Sequence, residues 1–365
     1  MIENSIDNNS LQFLGKIAVI TGDSLTTVED YNSVEHLTAK YGADKILHRI
    51  RPTKSVADHA QIQKILTELA DDKEIKALIL NQALPGSNAA ADSLKKIRED
   101  IFIVLCSSHE SASDTAAKAD LVLGVDELNA GAEMVMQANK QGAKVFIHYS
   151  FPRHMAIPLV SRRYDLIKDT CETLDIQFVG LTAPDPAEEA GITAVEDFLS
   201  EDVSRLVAKY GCDTAIFNTN CASQIPLIKA VINNHAIYPQ PCCPSPLHGF
   251  PEALGIDRDK CRSDLHYLIC EASRIAEEKN MTDRLSTWPV SASMMFTNAG
   301  VEYAIKWING QVSKTGIDDE ALKKCMNIFI ENAIGEEGCV FMKSYSEGET
   351  TYYNYKQILM SYLDF

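Results

Sequence analysis

The sequence predicts an α/β protein built as two doubly wound parallel-sheet lobes. Short apolar, β-branched runs alternate with amphipathic stretches along most of the chain, the pattern of helices packed on parallel sheets. The chain has 365 residues, too many for one ordinary core. Near Val145 the alternation restarts, so the second half repeats the architecture of the first without repeating its sequence. The expected division is an N-terminal extension over 1–14, a first α/β lobe over 15–126, a second over 127–289 and a C-terminal segment, 290–365, that crosses back towards the first lobe.

The first lobe is expected to carry strands at 16–21 (KIAVIT), 45–50, 76–81, 101–106 and 120–125. Its first helix follows Gly22-Asp23: Thr26 and Glu29 suit a capping box, and Val28, Tyr31, Val34 and Tyr41 recur at helical spacing, giving one buried face. Further helices fall near 58–71, 87–98, 110–118 and 127–141. In the second half, strands are expected at 144–149, 176–181, 214–219 and 236–241, with helices near 158–173, 196–210 and 221–233. A Pro- and Cys-rich connection over 240–262 precedes helices near 263–279 and 318–333.

Composition narrows the function. A hydrophobic content of 45% with 23% charged residues is that of a folded protein. The formal charge of −17 argues against a nucleic-acid surface, because phosphate binding needs clustered Lys and Arg. The first residues, MIENSIDNNSLQFLGK, have neither a basic nor an apolar leader region, and no run approaches a membrane span, so a soluble cytoplasmic protein is expected. Ten cysteines show no CxxC pair; several, such as Cys106 and Cys270, lie in apolar periods, and reduced structural thiols are expected. Cys242-Cys243 with His248 could hold a soft metal, but adjacent cysteines serve a tetrahedral site awkwardly, so the structural reading is preferred. There is no GxxxxGK[ST], GxGxxG, HExxH or GxSxG, and no cofactor or metal is expected.

In open α/β sheets the ligand crevice lies beyond the carboxyl ends of the strands, where strand order reverses. The residues left there define the candidate ligand-binding set. The first lobe offers Thr21, Asp23, Asn81, Gln82, Ser107, Ser108 and His109; the second offers Ser150, Phe151, Arg153, His154, Asn218 and Asn220. Small polar residues after a strand are also common caps and turn formers, an alternative open for each of them. Arg153 is different, since a guanidinium fork ahead of a helix suits a carboxylate or phosphate. His154 could instead pack beneath the loop. Arg162 and Arg163 fall more than a turn inside the helix and suit surface or inter-lobe ion pairs. His109-Glu110 could serve as an acid/base pair but has no visible nucleophile beside it, so no catalytic residue is assigned. Phe151 and Trp288 could stack on a ligand or sit in the core.

VDELNAGAEMVMQANKQGAKVFIHYS (125–150), an Arg-bearing helix and LDIQFV resemble the opening of the second lobe in type I periplasmic-binding proteins and LacI-type effector domains. NQALPG (81–86), SFPRHM (150–155), SRR (161–163), TAPDP (182–186), SPLHGFPEALGID (245–257) and STWP (286–289) resemble, over roughly 15–360, a family of functionally uncharacterised bacterial proteins with that fold. Members of that family are often exported, whereas no leader is read in this chain. The first strand begins near Lys16, so the DNA-binding head of LacI-type regulators, about fifty residues long, is not expected here.

Function is therefore expected to be small-molecule binding or sensing, with two lobes closing on a polar, possibly anionic metabolite. The alternatives are an effector-binding component that works through a DNA-binding partner, and an enzyme using the inter-lobe cleft. Expected partners are a small ligand and, beyond it, a protein partner or a second copy of the chain; direct nucleic-acid binding and a membrane segment are not expected.

Overall fold

A computed structural model describes residues 13–24, 27–51, 58–188 and 191–365. Its opening elements are β1 (Lys16–Thr21), α1 (Val28–Tyr41), β2 (Ile46–Ile50), α2 (Asp58–Asp71), β3 (Ile75–Leu80), α3 (Ser87–Ile97), β4 (Phe102–Cys106), α4 (Ala112–Lys118) and β5 (Leu121–Val125). Next come α5 (Asn129–Lys140), β6 (Val145–Ser150), the short α6 (Pro152–Met155), α7 (Pro158–Thr173), β7 (Gln177–Thr182), α8 (Gly191–Tyr210) and β8 (Thr214–Asn218). The chain continues with α9 (Gln224–Asn233), α10 (Phe250–Leu254), α11 (Arg258–Ser263), α12 (Leu265–Glu278) and β9 (Ser286–Thr287). It ends with α13 (Ala292–Ile308), α14 (Asp319–Ile334), β10 (Val340–Glu347), β11 (Thr350–Met360) and β12 (Leu363–Asp364). No described helix is long and apolar enough to cross a membrane.

Two compact units result. The first comprises Met1–Val125, Ser293–Phe329 and Val340–Ile358; the second comprises Asp126–Ala292, Ile330–Cys339 and Leu359–Phe365. In the first unit a seven-stranded sheet runs β10-β11-β5-β4-β3-β1-β2. β1 pairs in parallel with β2 on one side and β3 on the other, so strand order reverses between β1 and β3. β4 is buried along its whole length and β1 and β3 along nearly all of theirs, because helices cover both faces of a parallel sheet. α13 lies close enough for Gly300 to approach Ile79 and Val104: a Cβ there would meet their side chains at 3.4 Å.

The second unit holds a three-stranded parallel sheet, β7-β6-β8, and a two-stranded antiparallel pair, β12-β9. Its order reverses between β6 and β8. α5 and α7 pack closely through Gly131, where a Cβ would stand 2.7 Å from Arg163 Cγ and 3.1 Å from Ile167 Cγ1.

Most expected elements form within one or two residues of their anticipated ends. Residues 236–241 do not form a strand: they make only isolated bridges, Ala215 to Ile237 and Tyr238 to Leu285. Pro239 and Pro241 supply no N–H, so a ladder cannot propagate. The β10–β11 hairpin and α13 were not anticipated. For helix α1, Thr26 of the expected capping box lies outside the described residues; Thr27 occupies the N-cap, and its hydroxyl donates to the Asp23 carbonyl over 3.1 Å. Arg163 forms no ion pair among the described contacts but lies 6.0 Å over the Phe217 ring.

A buried guanidinium joins three elements of the first unit. Arg98, 2% exposed, caps the end of α3 and donates to the carbonyls of Ala70 (3.3 Å), Asp72 (3.0 Å) and Ile75 (2.8 Å), and to Asp100. An apolar replacement of similar length strands those acceptors. Arg98→Met should lower unfolding free energy by about 2–4 kcal/mol in chemical denaturation; a loss below about 0.5 kcal/mol would show that water satisfies the carbonyls instead.

Candidate functional site

Each unit places a polar group at its own switch of strand order. In the first unit, Thr21 ends β1 and Asn81-Gln82 follow β3. The Thr21 hydroxyl lies 2.8 Å from His48 Nε2 and 2.8 Å from the Gly22 carbonyl it donates to. Asn81 is fully buried; its Nδ2 donates to Thr297 Oγ1 (2.7 Å) and the Ser293 carbonyl (3.3 Å). Its Oδ1 is buried without a hydrogen-bond partner among the described residues. Gln82 bridges two charges: its Nε2 donates to Asp30 Oδ2 (2.9 Å) and its Oε1 accepts from Arg51 Nη2 (3.1 Å).

Asp30 and Arg51 are 2% and 3% exposed. Burial pushes the Asp30 carboxyl up to about 6, against hydrogen bonds from Ser293 and Asn81 and the charge of Arg51, which favour the carboxylate. Burial also lowers the affinity of His48 for a proton, although Glu35 opposes this.

The remaining first-unit candidates have other roles. Asp23 accepts at its carbonyl from Thr27, at the start of α1. Ser107 adopts φ +47° immediately after β4, with its N–H on the Leu123 carbonyl. Ser108 is 2.9 Å from Thr115 Oγ1. His109 is exposed, and its N–H donates to the Ala83 carbonyl. Glu110 accepts from the Asn88 N–H (2.8 Å) at the start of α3, which occupies the carboxylate that an acid/base pair would need.

In the second unit Ser150 ends β6 and Thr219 follows β8; both are buried, with hydroxyls 2.9 Å apart. His154 Nδ1 lies 3.1 Å from the same Thr219 oxygen. Its ring stacks obliquely on buried Phe151, centroids 4.1 Å apart, so both take the packing role at the base of α6. Arg153 closes a fork on Asp185 (2.7 and 2.8 Å) and holds that carboxyl down to about 2. Asn218 Oδ1 accepts from the Asn220 N–H (3.1 Å) and from Gln224 Nε2. Asn220 Oδ1 accepts from the Ala222 N–H (2.8 Å), capping a turn over Cys221–Ser223. Trp288 is buried in the core.

The structure thus gathers Asn81 and Gln82 into one buried network and Ser150 with His154 into another, while Arg153, Asn218 and Asn220 are engaged locally. Sequence reasoning missed Asp30 and Arg51; Thr219 lies at the same strand end as the candidates Asn218 and Asn220 but was not chosen with them. Arg51 immediately follows β2, a strand end that contributes no residue to the candidate set. Asp30 interrupts the buried face of α1 that continues with Ser33, Val34 and Leu37.

Residues 15–286 match the family described as "Protein of unknown function (DUF3798)". The chain belongs to the DUF3798 family. Two uncharacterised Treponema pallidum (strain Nichols) proteins are 33% and 28% identical to it over 164 and 177 residues, 45% and 47% of this chain and 76% and 80% of theirs. A Clostridium difficile 630 crystal structure described as a "Putative transcriptional regulator" superposes with TM-score 0.87 at 22% identity, covering 97% of this chain and all of that one. A sugar ABC transporter protein from Actinomyces odontolyticus gives TM-score 0.52 at 11% identity, covering 82% and 84%. The DUF3798 chain therefore has the type I periplasmic-binding-protein fold.

A buried carboxyl with a raised pKa makes a directional prediction. The folded state keeps the Asp30 proton up to about pH 6, whereas the unfolded chain releases it near 3.8. Across that window the fold binds the extra proton, so stability falls as pH rises, and the penalty is complete above it. Asp30→Asn should therefore be more stable than the parent at pH 7, by up to about 2 kcal/mol, with the difference vanishing near pH 4. Denaturant melts at both pH values check this; equal gains at both would refute a titrating Asp30.

Proposed function

We propose that this DUF3798 protein binds a small, neutral, hydroxyl-rich molecule, with groups contributed by the switch-point rim of the first unit. The observation that carries the reading is the buried Asp30–Gln82–Arg51 network beside an Asn81 carbonyl oxygen that has no described partner. A hydroxyl is donor and acceptor at once, so amides, a carboxylate and a guanidinium set around it can satisfy both functions. Ser150, Thr219 and His154 form a separate hydroxyl-and-imidazole cluster at the strand ends of the second unit. The description of the Actinomyces odontolyticus structure as a sugar transporter protein supports this ligand class. An anionic ligand draws less support: the Arg153 fork already holds Asp185, and Gln82 already accepts from Arg51.

A thermal-shift screen contrasting polyols and monosaccharides with carboxylic and phosphorylated metabolites tests this. A ligand that binds only the folded state stabilises it by about 2.7 kcal/mol at 100 times its dissociation constant. We expect polyhydroxy compounds to raise the melting temperature. Asn81→Ala should remove most of that rise, beyond its own effect on the unliganded protein; shifts from anions alone would overturn the reading.

A second reading is favoured by the description of the Clostridium difficile structure: an effector-binding component that controls transcription through a partner. A pull-down that recovers a DNA-binding protein, responsive to the ligand found in the screen, would support it.

A further inference from the structure

Three thiols and an imidazole meet in the second unit, at residues the ligand reading does not use. Cys221 opens the turn three residues beyond the end of β8. Residues 236–240 run beside β8 through the parallel bridge of Ala215 with Ile237, which carries Cys242 and Cys243 to the same carboxyl end of the sheet. The Sγ–Sγ separations are 3.1 Å for Cys221–Cys242, 3.6 Å for Cys221–Cys243 and 3.9 Å for Cys242–Cys243. A ring nitrogen of His248, just ahead of α10, lies within 4.8 Å of both the Cys221 and Cys242 sulfurs.

The objection that adjacent cysteines serve one metal awkwardly assumes an extended chain, in which neighbours point to opposite sides. Here the backbone bends at 242 and 243, and both thiols turn towards Cys221. With zinc–sulfur bonds of 2.3 Å and zinc–nitrogen bonds of 2.0–2.1 Å, a tetrahedral site sets its ligand atoms about 3.5–3.8 Å apart. The three sulfurs already form a triangle of nearly that size, and Cys221 and Cys243 are exposed, which gives an ion access. Soft thiolates with one imidazole select zinc-class d10 cations over hard ones such as Mg²⁺ or Ca²⁺.

We propose that Cys221, Cys242, Cys243 and His248 form a binding site for a thiophilic cation of the zinc class. On ligation each participating thiol gives up its proton to solvent while neutral His248 donates a ring lone pair, so the site's net charge changes by the cation's two positive charges less one for each proton released, and no electron is transferred.

The test uses the reduced, full-length chain, titrated with Zn²⁺ against a chromophoric chelator and separately with Co²⁺. We expect one equivalent of metal, with thiolate-to-cobalt charge transfer and the visible bands of tetrahedral Co²⁺. Cys221→Ser and Cys242→Ser should each weaken zinc binding by at least about tenfold, since loss of a second-shell partner alone costs 10–100-fold. Cys212→Ser, which removes an exposed thiol elsewhere in the unit, should leave binding unchanged. Circular dichroism establishes that each variant is folded; should one unfold, the cobalt spectrum of the parent decides. Absence of the charge-transfer band, or zinc binding that survives removal of Cys221 and Cys242 together, would overturn the proposal. So would a Cys221–Cys242 disulfide that, once reduced, leaves a protein unable to bind zinc: that pair would be a redox couple.

Discussion

A parallel sheet covered by helices on both faces leaves almost no place for a polar side chain except at the ends of its strands. In the first unit, Ile17–Ile20, Ala77–Leu80 and Phe102–Cys106 are entirely buried, and the first hydrogen-bonding side chains appear where these strands stop: Thr21, Asn81 and Ser107. The second unit obeys the same restriction at Ser150 and Asn218-Thr219. His148, inside β6, is the exception that shows its cost. Burial and the nearby Arg163 charge hold it at a pKa of about 3, so it stays neutral, edge-on to Tyr164 among Phe178 and Phe217, and behaves as a core aromatic.

This restriction is why so much of the fold could be read in the chain. Near-continuous apolar runs fixed β1, β3, β4, β6 and β8, and amphipathic spacing fixed helices such as α2 and α7. Where pairing departs from the buried parallel pattern, the signal fades. β11 exposes part of its length, and its TTYYNYKQILM turns apolar only in its last three residues, although its β-branched and aromatic residues favour a strand. Residues 236–241 look like a strand by composition, yet their prolines limit them to isolated bridges. The candidate sites split along the same line. Apart from Arg51, residues adjacent to a strand end in sequence were legible; Asp30, inside the helix after β1, and Cys221 with Cys242, brought together across a 21-residue separation, depend on three-dimensional pairing.

Polar residues at the rim separate by how fully the fold already satisfies them. Asn218, Asn220 and Glu110 accept from backbone N–H groups, and Arg153 closes on Asp185. Such groups stabilise loops and have little left to offer a ligand. Asn81 and Asp30 are different. A buried acceptor without a partner costs about 1–3 kcal/mol, and a buried carboxyl held above its ordinary pKa opposes folding at neutral pH. Both costs would fall if a hydroxyl entered: Asn81 would gain a donor, and Asp30 a partner that favours its charged form.

Backbone conformation at the same rim points the same way. Gln82 and Ser107 follow β3 and β4 with φ of +49° and +47°, a left-handed geometry that costs a residue with a Cβ on the order of 1 kcal/mol. Glycine would relieve the strain at either position but would remove the side chain, and at Gln82 that side chain is what joins Asp30 to Arg51. The two loops are pinned to each other, the Ala83 N–H on the Cys106 carbonyl and the His109 N–H on the Ala83 carbonyl, both over 2.9 Å. Those bonds over-determine the backbone and let the strained turn persist. An orphaned amide oxygen and two left-handed residues therefore fall on consecutive strand ends of one sheet, and one of those residues, Gln82, bonds the α1 carboxyl raised to about 6, so the stability sacrificed there is concentrated where a ligand could recover it.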